Sequence, residues 1–323
     1  MQTRQNALND WLKTILRDTP FTIAPLAGDA SFRRYFRLHT DGSTRVIMDA
    51  PPGKETLAPF VNIAEVLSTN GVHTPTIYAV DYTQGFALLE DLGDQLLLGA
   101  LTENNADELY QLAINTLTQI QLTPVTNPLL PSFDKAFMLA EINLFREWFL
   151  GAYLNLTLSA DEALLLNNTF DWLTTQIVNQ PQVFIHRDYH SRNLIVTENT
   201  LGVIDFQDAM QGPHTYDLVS LLKDCYIQWP REKITQWLAC FYDGENIADF
   251  TRAFDLCGLQ RHLKVLGVFC RLNFRDNKPA YLRDLPLTFN YVMACLESYE
   301  ELQPFYHFMQ QKIQRPFLQK NKE

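Results

Sequence analysis

One β-like segment interrupts a long run of helical patterns in the C-terminal part of the chain, and it constrains the fold more than any other feature. Residues 183–208 contain two short apolar strands, and polar side chains follow the end of each strand. On both sides of this segment, leucine-rich stretches repeat apolar residues at helical spacing. A hairpin formed by the segment can therefore gather its polar side chains around one point.

The first 90 residues alternate between helix and strand patterns. Apolar spacing predicts one helix over residues 5–17 and another over residues 57–67, which ends at the typical C-cap Asn70-Gly71. Turn residues such as Thr40-Asp41-Gly42-Ser43 separate the extended segments. We predict strands over residues 21–26, 32–38, 45–49, 76–80 and 86–90.

From Asp91 onward the patterns are helical, apart from the segment described above. We predict helices over residues 106–121, 135–152, 161–178, 216–225, 231–242 and 250–273. A chain of 323 residues is longer than one hydrophobic core usually accommodates. We therefore predict an α+β protein with two lobes: a small N-terminal lobe with an antiparallel sheet and a helix over residues 1–92, and a larger, mainly helical lobe over residues 93–323.

Charge and cysteine content argue against several classes of protein. The chain has 26 basic and 37 acidic side chains, a formal net charge of −11, which argues against nucleic acid as a partner. Its five cysteines show no metal-ligand spacing and suggest buried thiols in a reducing compartment. Because we find neither a signal-peptide pattern nor an apolar run of membrane-spanning length, we expect a soluble cytoplasmic protein.

The polar side chains of residues 183–208 suit phosphoryl transfer. Asp188 precedes Asn193 by five positions, and Asp205 follows after a short β pair. Carboxylate and carboxamide oxygens suit a hard divalent cation, and one carboxylate is left to accept a proton. Each residue alone has an ordinary structural role, as a turn cap, an Asx turn or a strand-end cap. The ordered set of three favours a catalytic site.

Several motifs resemble a family of small-molecule kinases. His186-Arg187-Asp188 with Asn193 resembles the catalytic loop of kinases, His-x-Asp-x-x-x-x-Asn, and residues 204–208 (Ile-Asp-Phe-Gln-Asp) resemble the metal motif of the aminoglycoside phosphotransferase and choline kinase family. Within that family, the chain is most similar to the anomeric kinases of cell-wall recycling, which phosphorylate C1 of N-acetylmuramate or N-acetylglucosamine. The motifs that carry this similarity are residues 31–37, 48–52, 186–193, 212–213 and 216–218.

The resemblance implies the bilobal fold of protein kinases, ATP as the phosphoryl donor and Mg²⁺ as a cofactor. It implies that Asp188 is the general base, that Asn193 and Asp205 hold Mg²⁺, and that the acceptor is the C1 hydroxyl of an amino sugar. His186 and Asp217 would support the catalytic loop. Beyond ATP and the amino sugar we expect no nucleic acid or membrane partner, and no protein partner is evident in the sequence.

The resemblance also assigns residues to the nucleotide. Residues 27–31 resemble the loop that covers the phosphates, and residues 86–92 resemble the strand and hinge whose backbone meets the adenine. Kinases place a lysine on the third strand, but Met48 stands there, so we expect an arginine of the preceding loop to supply the charge. Arg33 and Arg34 are adjacent on a strand, so at most one of them faces the phosphates. The predicted nucleotide-binding residues are Gly28, Asp29, Ala30, Ser31, Phe32, Arg33, Arg34, Met48, Glu90, Asp91 and Leu92.

The acceptor site is the part of the chain that the sequence describes least. A sugar carboxylate would need a cation, and arginine suits a bidentate contact with it. A solvated or salt-bridged helix face is the alternative reading of the cations at positions 261 and 262. The predicted acceptor-binding residues are His190, Arg192, Asp208, Arg261 and His262.

Two other functions are compatible with the same motifs. The acidic chain could concentrate a cationic acceptor such as an aminoglycoside or choline, although cations near the catalytic loop argue against this. Met48 could instead mark a degenerate kinase that binds nucleotide without transferring phosphate. Because the base, both metal ligands and the hinge are all present in the sequence, we favour an amino-sugar kinase.

Overall fold

The computed structural model describes residues 2–17, 19–26, 32–125 and 130–321. The strands are β1 Thr22–Pro25, β2 Arg34–Thr40, β3 Ser43–Asp49, β4 Ile77–Asp81, β5 Phe86–Glu90, β6 Gln182–Ile185, β7 Leu194–Val196, β8 Leu201–Val203 and β9 Met210–Pro213. The helices are α1 Gln2–Leu16, α2 Ala58–Thr69, α3 Leu97–Ala100, α4 Ala106–Leu122, α5 Lys135–Leu144, α6 Ala160–Val178, α7 Tyr216–Leu222, α8 Arg231–Phe241, α9 Ile247–Phe274, α10 Leu285–Ser298, α11 Gln303–Phe308 and α12 Arg315–Lys320.

The chain divides into two compact units. The first contains Met1–Leu96 together with Asn193–Asp208, and the second contains Leu97–Arg192 together with Ala209–Glu323. The first unit holds the five-stranded sheet and the second is mainly helical, so the predicted α+β class is confirmed. The functional division predicted at residue 92, between nucleotide binding and acceptor binding, stays a prediction.

An antiparallel sheet in the order β1-β2-β3-β5-β4 forms the frame of the first unit. In its register Arg34 lies opposite Asp49 and Tyr35 opposite Met48. Since side chains alternate across a strand, these two pairs lie on opposite faces of the sheet. Helix α1 covers one face because its apolar stripe is buried there. The residues of this core are Leu8, Trp11 and Leu12 of α1 with Leu38, Ile47, Phe86 and Leu88 of the sheet.

Helix α2 is bounded by local signals in the sequence. Pro59 stands in its first turn, where a missing amide hydrogen costs nothing. At its other end Gly71 has a φ of 81°, a left-handed conformation that favours glycine. The Phe60 ring of α2 stacks on Phe206 with centroids 4.9 Å apart, so the helix holds the segment that follows β8.

The hairpin β7–β8 belongs to the first unit although it comes a hundred residues later in the chain. The amide of Val203 donates to the carbonyl of His73 at 2.8 Å. The side chain of Leu92 lies so close to Gly202 that a Cβ there would be 2.6 Å from a Leu92 methyl group. A side chain at position 202 would therefore require Leu92 to shift.

The second unit is built around the 28-residue helix α9, which packs against α5, α6, α7 and α10. Gly267 allows the closest of these approaches, since a Cβ at this position would lie 2.3 Å from the carbonyl carbon of Leu144. Strands β6 and β9 pair as a separate antiparallel ribbon. Strand β6 of this ribbon directly precedes the loop that contains Asp188.

Two features of the helical unit differ from the sequence prediction. The helix expected over residues 135–152 changes at Phe145 into a π-helix that runs to Tyr153. The segment that follows α9, from the 3₁₀ turn Pro279–Asp284 to α12, was not predicted as helical. In the described part of the chain, none of the helices has the length and apolar character that crossing a membrane requires.

Candidate active site

Asn193 and Asp205 flank the hairpin β7–β8 in the first unit. Asn193 directly precedes β7 and Asp205 follows β8 by two residues. The amide of Ile204 donates to the carbonyl of Asn193 at 3.1 Å, so the hairpin brings the two ends together. Asp205 has a φ of 65°, a strained conformation for a residue other than glycine. Backbone strain of this kind persists only where the surrounding fold enforces it, and it is found mainly at functional sites.

Gln207 orders the carboxylates of the metal motif. Its amide donates to Asp205 Oδ1 at 2.9 Å and to Asp208 Oδ2 at 3.3 Å. Oxygen donors of this kind fit Mg²⁺. The described residues contain no cluster of three His, Cys, Asp or Glu side chains able to hold a metal by themselves. Mg²⁺ in phosphoryl-transfer sites usually takes one or two protein carboxylates together with substrate phosphates.

The adjacent arginines of the first unit have different partners. Arg34 forms an ion pair with Asp49, which is fully buried, and Asp49 is also held by Arg4 of α1 at 2.5 Å. Arg33 instead pairs with Glu55 at 3.1 Å and hydrogen-bonds to Tyr35. The sequence left open which arginine could serve the phosphates, and the partners of Arg34 commit it to the fold.

Tyr35 connects Arg33 to the metal motif. Burial raises the pKa of the Tyr35 hydroxyl, and the negative charge of Asp205 raises it further. Met48 lies opposite Tyr35 in the sheet and is fully buried, so no charge stands at the position where kinases carry their lysine. Arg33 is therefore a cation that hydrogen-bonds to Tyr35, the residue that interacts with the charge of Asp205.

A cleft of about 430 Å³ opens beside these residues in the first unit. Cations and anions both line it, and Lys54 also lies over the exposed ring of Phe32 at 4.6 Å. The lining residues are Arg33, Gly53, Lys54, Glu55, Thr56, Pro59, Gln207 and Asp208. The predicted phosphate-covering residues Gly28, Asp29, Ala30 and Ser31 lie outside the described residues.

The predicted hinge is fixed by its side chains. Asp91 forms an ion pair with Arg37 at 2.7 Å and accepts the amide of Gly93 at 3.1 Å. Glu90 accepts the hydroxyl of Thr76 at 2.7 Å. With Leu92 against Gly202, these contacts hold the backbone after β5 in one conformation.

Asp188 lies on a loop of the second unit. The side chain of Asp217 holds the backbone of this loop. The Asp217 carboxylate accepts the amides of His186 at 2.6 Å and Arg187 at 2.9 Å. Arg187 has a φ of 76°, so the residue just before Asp188 is also strained. Burial raises the pKa of Asp217 to about 6, although the amide donors favour its charged form. His186 is buried, and its Nδ1 accepts the amide of Asp188 at 3.3 Å.

The Asp188 carboxylate is half-buried among positive charges. Burial alone would raise its pKa, but the neighbouring charges outweigh burial and lower it to about 2. These neighbours are Lys264, His190, Arg187 and Arg261. Because burial lowers the pKa of His190, the permanent charges are those of the lysine and the two arginines.

Glu141 balances only part of this positive charge. It accepts Arg187 at 2.7 Å and Lys264 at 3.1 Å. One carboxylate therefore serves two cations, and Asp188 interacts with the charge that remains. Arg261 is buried and its guanidinium points to the sulfur of Cys225 at 3.7 Å.

The end of the same loop is anchored by Asp224. This buried carboxylate accepts the amide of Ser191 at 3.0 Å and its hydroxyl at 2.5 Å. Tyr226 follows, with the guanidinium carbon of Arg192 3.7 Å from the centre of its ring. His262 lies elsewhere, buried, with its ring stacked on Tyr291 and its Nε2 2.9 Å from the carbonyl of Lys223.

Several residues of the site had no role in the sequence prediction. Glu141, Asp224 and Tyr226 lie on segments that read only as helix or helix end, so nothing local marked them. Tyr35 lay inside a quoted motif but received no role. A carboxylate at an apolar position of a helix, such as Glu141, was the available signal, because a buried acid needs a partner.

Comparison with known proteins identifies the class. The model of the phosphotransferase enzyme family, APH, matches residues 22–253, and the chain belongs to this family. The protein is therefore an enzyme that transfers phosphoryl groups.

Relatives within this class are similar along nearly their whole length. The N-acetylmuramate/N-acetylglucosamine kinase of Pseudomonas aeruginosa is 40% identical over 318 residues, 93% of this chain and 94% of that protein. The protein of the same name from Neisseria meningitidis is 38% identical over 317 residues, 94% of each chain. The predicted resemblance to this group of kinases is confirmed.

Solved structures of low sequence identity share the fold. A choline/ethanolamine kinase family protein from Mesorhizobium loti has a TM-score of 0.66 at 14% identity, over 93% of this chain and 97% of that one. The GDP complex of aminoglycoside 2'-phosphotransferase-IIIa has a TM-score of 0.63 at 17% identity, over 88% and 98%. These similarities confirm the predicted kinase-like fold.

Proposed function

We propose that this enzyme transfers the γ-phosphoryl group of ATP to the C1 hydroxyl of N-acetylmuramate and N-acetylglucosamine. The names of relatives that are about 40% identical over most of the chain support the choice of acceptor. The observation that carries the proposal is the Asp188 carboxylate, which fixed cations keep ionised on a loop that Asp217 holds.

The reaction is an in-line displacement at phosphorus. The C1 oxygen bonds to the γ-phosphorus, the bond to the β,γ-bridging oxygen breaks and ADP leaves. The hydroxyl proton passes to Asp188. A carboxylate with a pKa of about 2 is a weak base, so its main work is to orient the hydroxyl and take the proton late.

The anomeric hydroxyl suits such a base. The ring oxygen is bonded to the same carbon, so this hydroxyl is more acidic than the other sugar hydroxyls. Less basicity is then needed to remove its proton as the phosphorus–oxygen bond forms. A cation-rich site also stabilises the negative charge that develops on the acceptor oxygen.

The first unit would bind ATP together with Mg²⁺. Asn193 and Asp205 would hold the ion, which neutralises phosphate charge in phosphoryl transfer. We assign the phosphate-binding charge to Arg33, because Arg34 is committed to the buried Asp49. The hinge residues Glu90–Leu92 would present backbone groups to the adenine, residues 28–32 would cover the phosphates, and Met48 would contribute an apolar wall.

The acceptor would bind next to Asp188 in the second unit. His190 and Arg192 lie on the same loop as the base, and the charge of Arg261 interacts with Asp188. For Asp208 we propose a role in ordering the metal motif through Gln207, and for His262 a supporting role in the helical core. Residues 1–92 thus serve mainly the nucleotide, and residues 93–323 contain the base and the acceptor site.

An assay of ADP release with each sugar tests the proposal. We expect turnover with both sugars well above the ATPase background, and loss of reducing-end reactivity in the product, because a phosphate on C1 blocks ring opening. ADP release with the reducing end preserved would contradict C1 as the acceptor. Background rates with both sugars would contradict the sugar assignment.

A cationic acceptor is disfavoured by the surroundings of Asp188. Lysine and arginine side chains already neutralise this carboxylate, so a protonated amine placed there would be repelled. We expect no turnover of choline or aminoglycosides in the same assay.

A further inference from the structure

Arg192 has an uncommitted guanidinium at the edge of the catalytic loop. Its carbon lies 3.7 Å from the centre of the Tyr226 ring, a stacked cation–π contact. Among the described residues, no carboxylate forms an ion pair with it. Every other cation near Asp188 is held by a partner, as Arg187 and Lys264 are by Glu141. The guanidinium of Arg192 is thus a charged group whose N–H donors are available to a ligand.

The nearest competing acids have other partners. Asp284 interacts electrostatically with Arg192, but its ion pair is with Arg283 at 3.6 Å. Asp224 is occupied by the amide and hydroxyl of Ser191 and by the amide of Tyr226. Asp224 thus holds the surrounding backbone and Asp284 pairs with Arg283, so the planar edge of Arg192 is left for a ligand.

Arg192 is also connected to the proposed base, Asp188, through two hydrogen bonds within the loop. Its amide lies 3.3 Å from Nδ1 of His190, whose own amide donates to the carbonyl of Asp188 at 3.0 Å. The His190 ring contacts Tyr226 with centroids 5.3 Å apart. Arg192 and Asp188 therefore lie on one hydrogen-bonded turn, four residues apart in the chain.

We propose that Arg192 binds the lactyl carboxylate of N-acetylmuramate and so determines how the enzyme discriminates between its two sugars. This inference rests on the proposed function. The two sugars differ only by the lactyl ether on O3, which carries the carboxylate. C3 is two ring atoms from C1, so a sugar with C1 at Asp188 extends its carboxylate along the same loop.

The stacked arrangement suits this recognition. The Tyr226 ring fixes the plane of the guanidinium before the sugar arrives, so little side-chain entropy remains to be lost. The free edge offers parallel donors for a bidentate contact with a carboxylate. The net charge of −11 repels anions at long range, so the contact must be local.

A substitution and a substrate analogue test the contact together. We compare wild type, Arg192→Gln and Arg192→Lys with three acceptors: N-acetylmuramate, its primary amide in place of the carboxylate, and N-acetylglucosamine. The control variant Arg275→Gln removes the same charge from an exposed site on which Asp276 is the partner. It should behave as wild type with all three acceptors.

In Arg192→Gln we expect kcat/KM for N-acetylmuramate to fall by about 10- to 100-fold, mainly through KM. The value for N-acetylglucosamine should change by less than about threefold, which also shows that the variant is folded. Wild type should prefer the acid to the amide by a similar factor, and the variant should not. Arg192→Lys keeps the charge without the planar fork and should fall between the two.

Equal losses with both sugars, or a wild type that treats acid and amide alike, would overturn the assignment. Equilibrium titration of N-acetylmuramate in the presence of a non-hydrolysable ATP analogue separates this result from failure of the proposed function. Arg192-dependent binding without turnover would support the carboxylate contact and contradict the kinase assignment. No binding to wild type would contradict both.

Discussion

The surroundings of Asp188 keep its carboxylate charged. With its pKa near 2, it stays ionised at pH 4 and above, so its protonation should not produce an acid limb near pH 4 to 6. The same cations reduce its strength as a base. Its contribution to the rate therefore depends on position more than on proton affinity.

Replacing Asp188 by Asn should separate catalysis from nucleotide binding. The amide keeps the shape of the side chain but cannot accept the proton, so we expect kcat to fall by about 10²- to 10⁴-fold. The affinity for ATP, measured by titration, should change by less than about threefold. The matched control Asp171→Asn removes an exposed acid paired with Lys135 and should retain full activity. Equal kcat values for both variants would remove Asp188 from the mechanism.

Substitutions of the two adjacent arginines should have different effects, one on ATP binding and the other on stability. Arg33→Gln should raise KM for ATP by about tenfold, because a charge-assisted phosphate contact is lost. Arg34→Gln should instead lower the free energy of unfolding by about 1.5–3 kcal/mol, because it removes a charged partner of the buried Asp49. Urea unfolding and ATP kinetics on both variants measure the contrast. If Arg34→Gln proved stable but deficient in ATP binding, the assignment of the two residues would be reversed.

Buried His262 should make the protein sensitive to acid. Burial lowers its pKa to about 3, below its ordinary value, so the folded state binds fewer protons than the unfolded state between these two pH values. Its stabilising effect is complete above about pH 6.5 and is lost as the pH falls toward 3.

His262→Gln should therefore flatten the loss of stability on the acid side. We expect the variant to lose about 2 kcal/mol less than wild type between pH 7 and pH 5, measured by urea unfolding at each pH. His307→Gln, which changes an exposed imidazole, should keep the wild-type slope. A parallel pH dependence of wild type and His262→Gln would show that this histidine does not sense acid.

At the scale of the elements, the sequence predicted the sheet and most helices, because short stretches of sequence carry the signals for these elements. Apolar spacing, the Asn70-Gly71 cap and the turn at Thr40–Ser43 mark α1, α2 and the strands of the sheet within short stretches of sequence. The change from α- to π-helix at Phe145 has no such signal. It lies where Gly267 of α9 packs, which is a tertiary contact that no window of sequence contains.

Gly267→Ala should destabilise the helical unit. The new Cβ would lie within 2.4 Å of the backbone carbon and oxygen of Leu144, which cannot move without shifting a helix, so we expect a loss of about 3 kcal/mol or more. Gly99→Ala is the control, since nothing lies within 4 Å of its Cβ position. That variant should be neutral or more stable by up to about 1 kcal/mol, because alanine favours helix. Similar unfolding midpoints for the two variants would contradict the close approach.

At the scale of the whole molecule, the sequence motifs predicted the class of reaction more completely than they predicted the residues that surround the site. Asp188, Asn193 and Asp205 stand at fixed spacing on one stretch of chain, so the sequence alone suggested their roles. Glu141 and Lys264 reach the loop from the distant helices α5 and α9, and Asp224 reaches it from the segment after α7. Only the packing of the second unit determines which of them come together. The choice between Arg33 and Arg34 likewise depended on where the acids Asp49 and Glu55 lie.

The first unit is assembled from two distant stretches, so a simple truncation should not reproduce it. A fragment of residues 1–96 lacks the hairpin that pairs with His73, the Gly202 contact of Leu92 and the Phe206 partner of Phe60. We expect this fragment to melt without a cooperative transition. Joining residues 193–208 to it through a flexible linker should restore one, as measured by circular dichroism. A cooperative melt of the shorter fragment would show that the sheet alone is sufficient.

The buried Met48 has a consequence for pharmacology. A compound with an electrophile aimed at the lysine of the third strand of a kinase would not react at this position, because β3 of this enzyme, Ser43–Asp49, contains no lysine. Such a compound would find no amine on the third strand of this enzyme. An inhibitor directed at Arg33 and the cleft beside it would have the opposite selectivity.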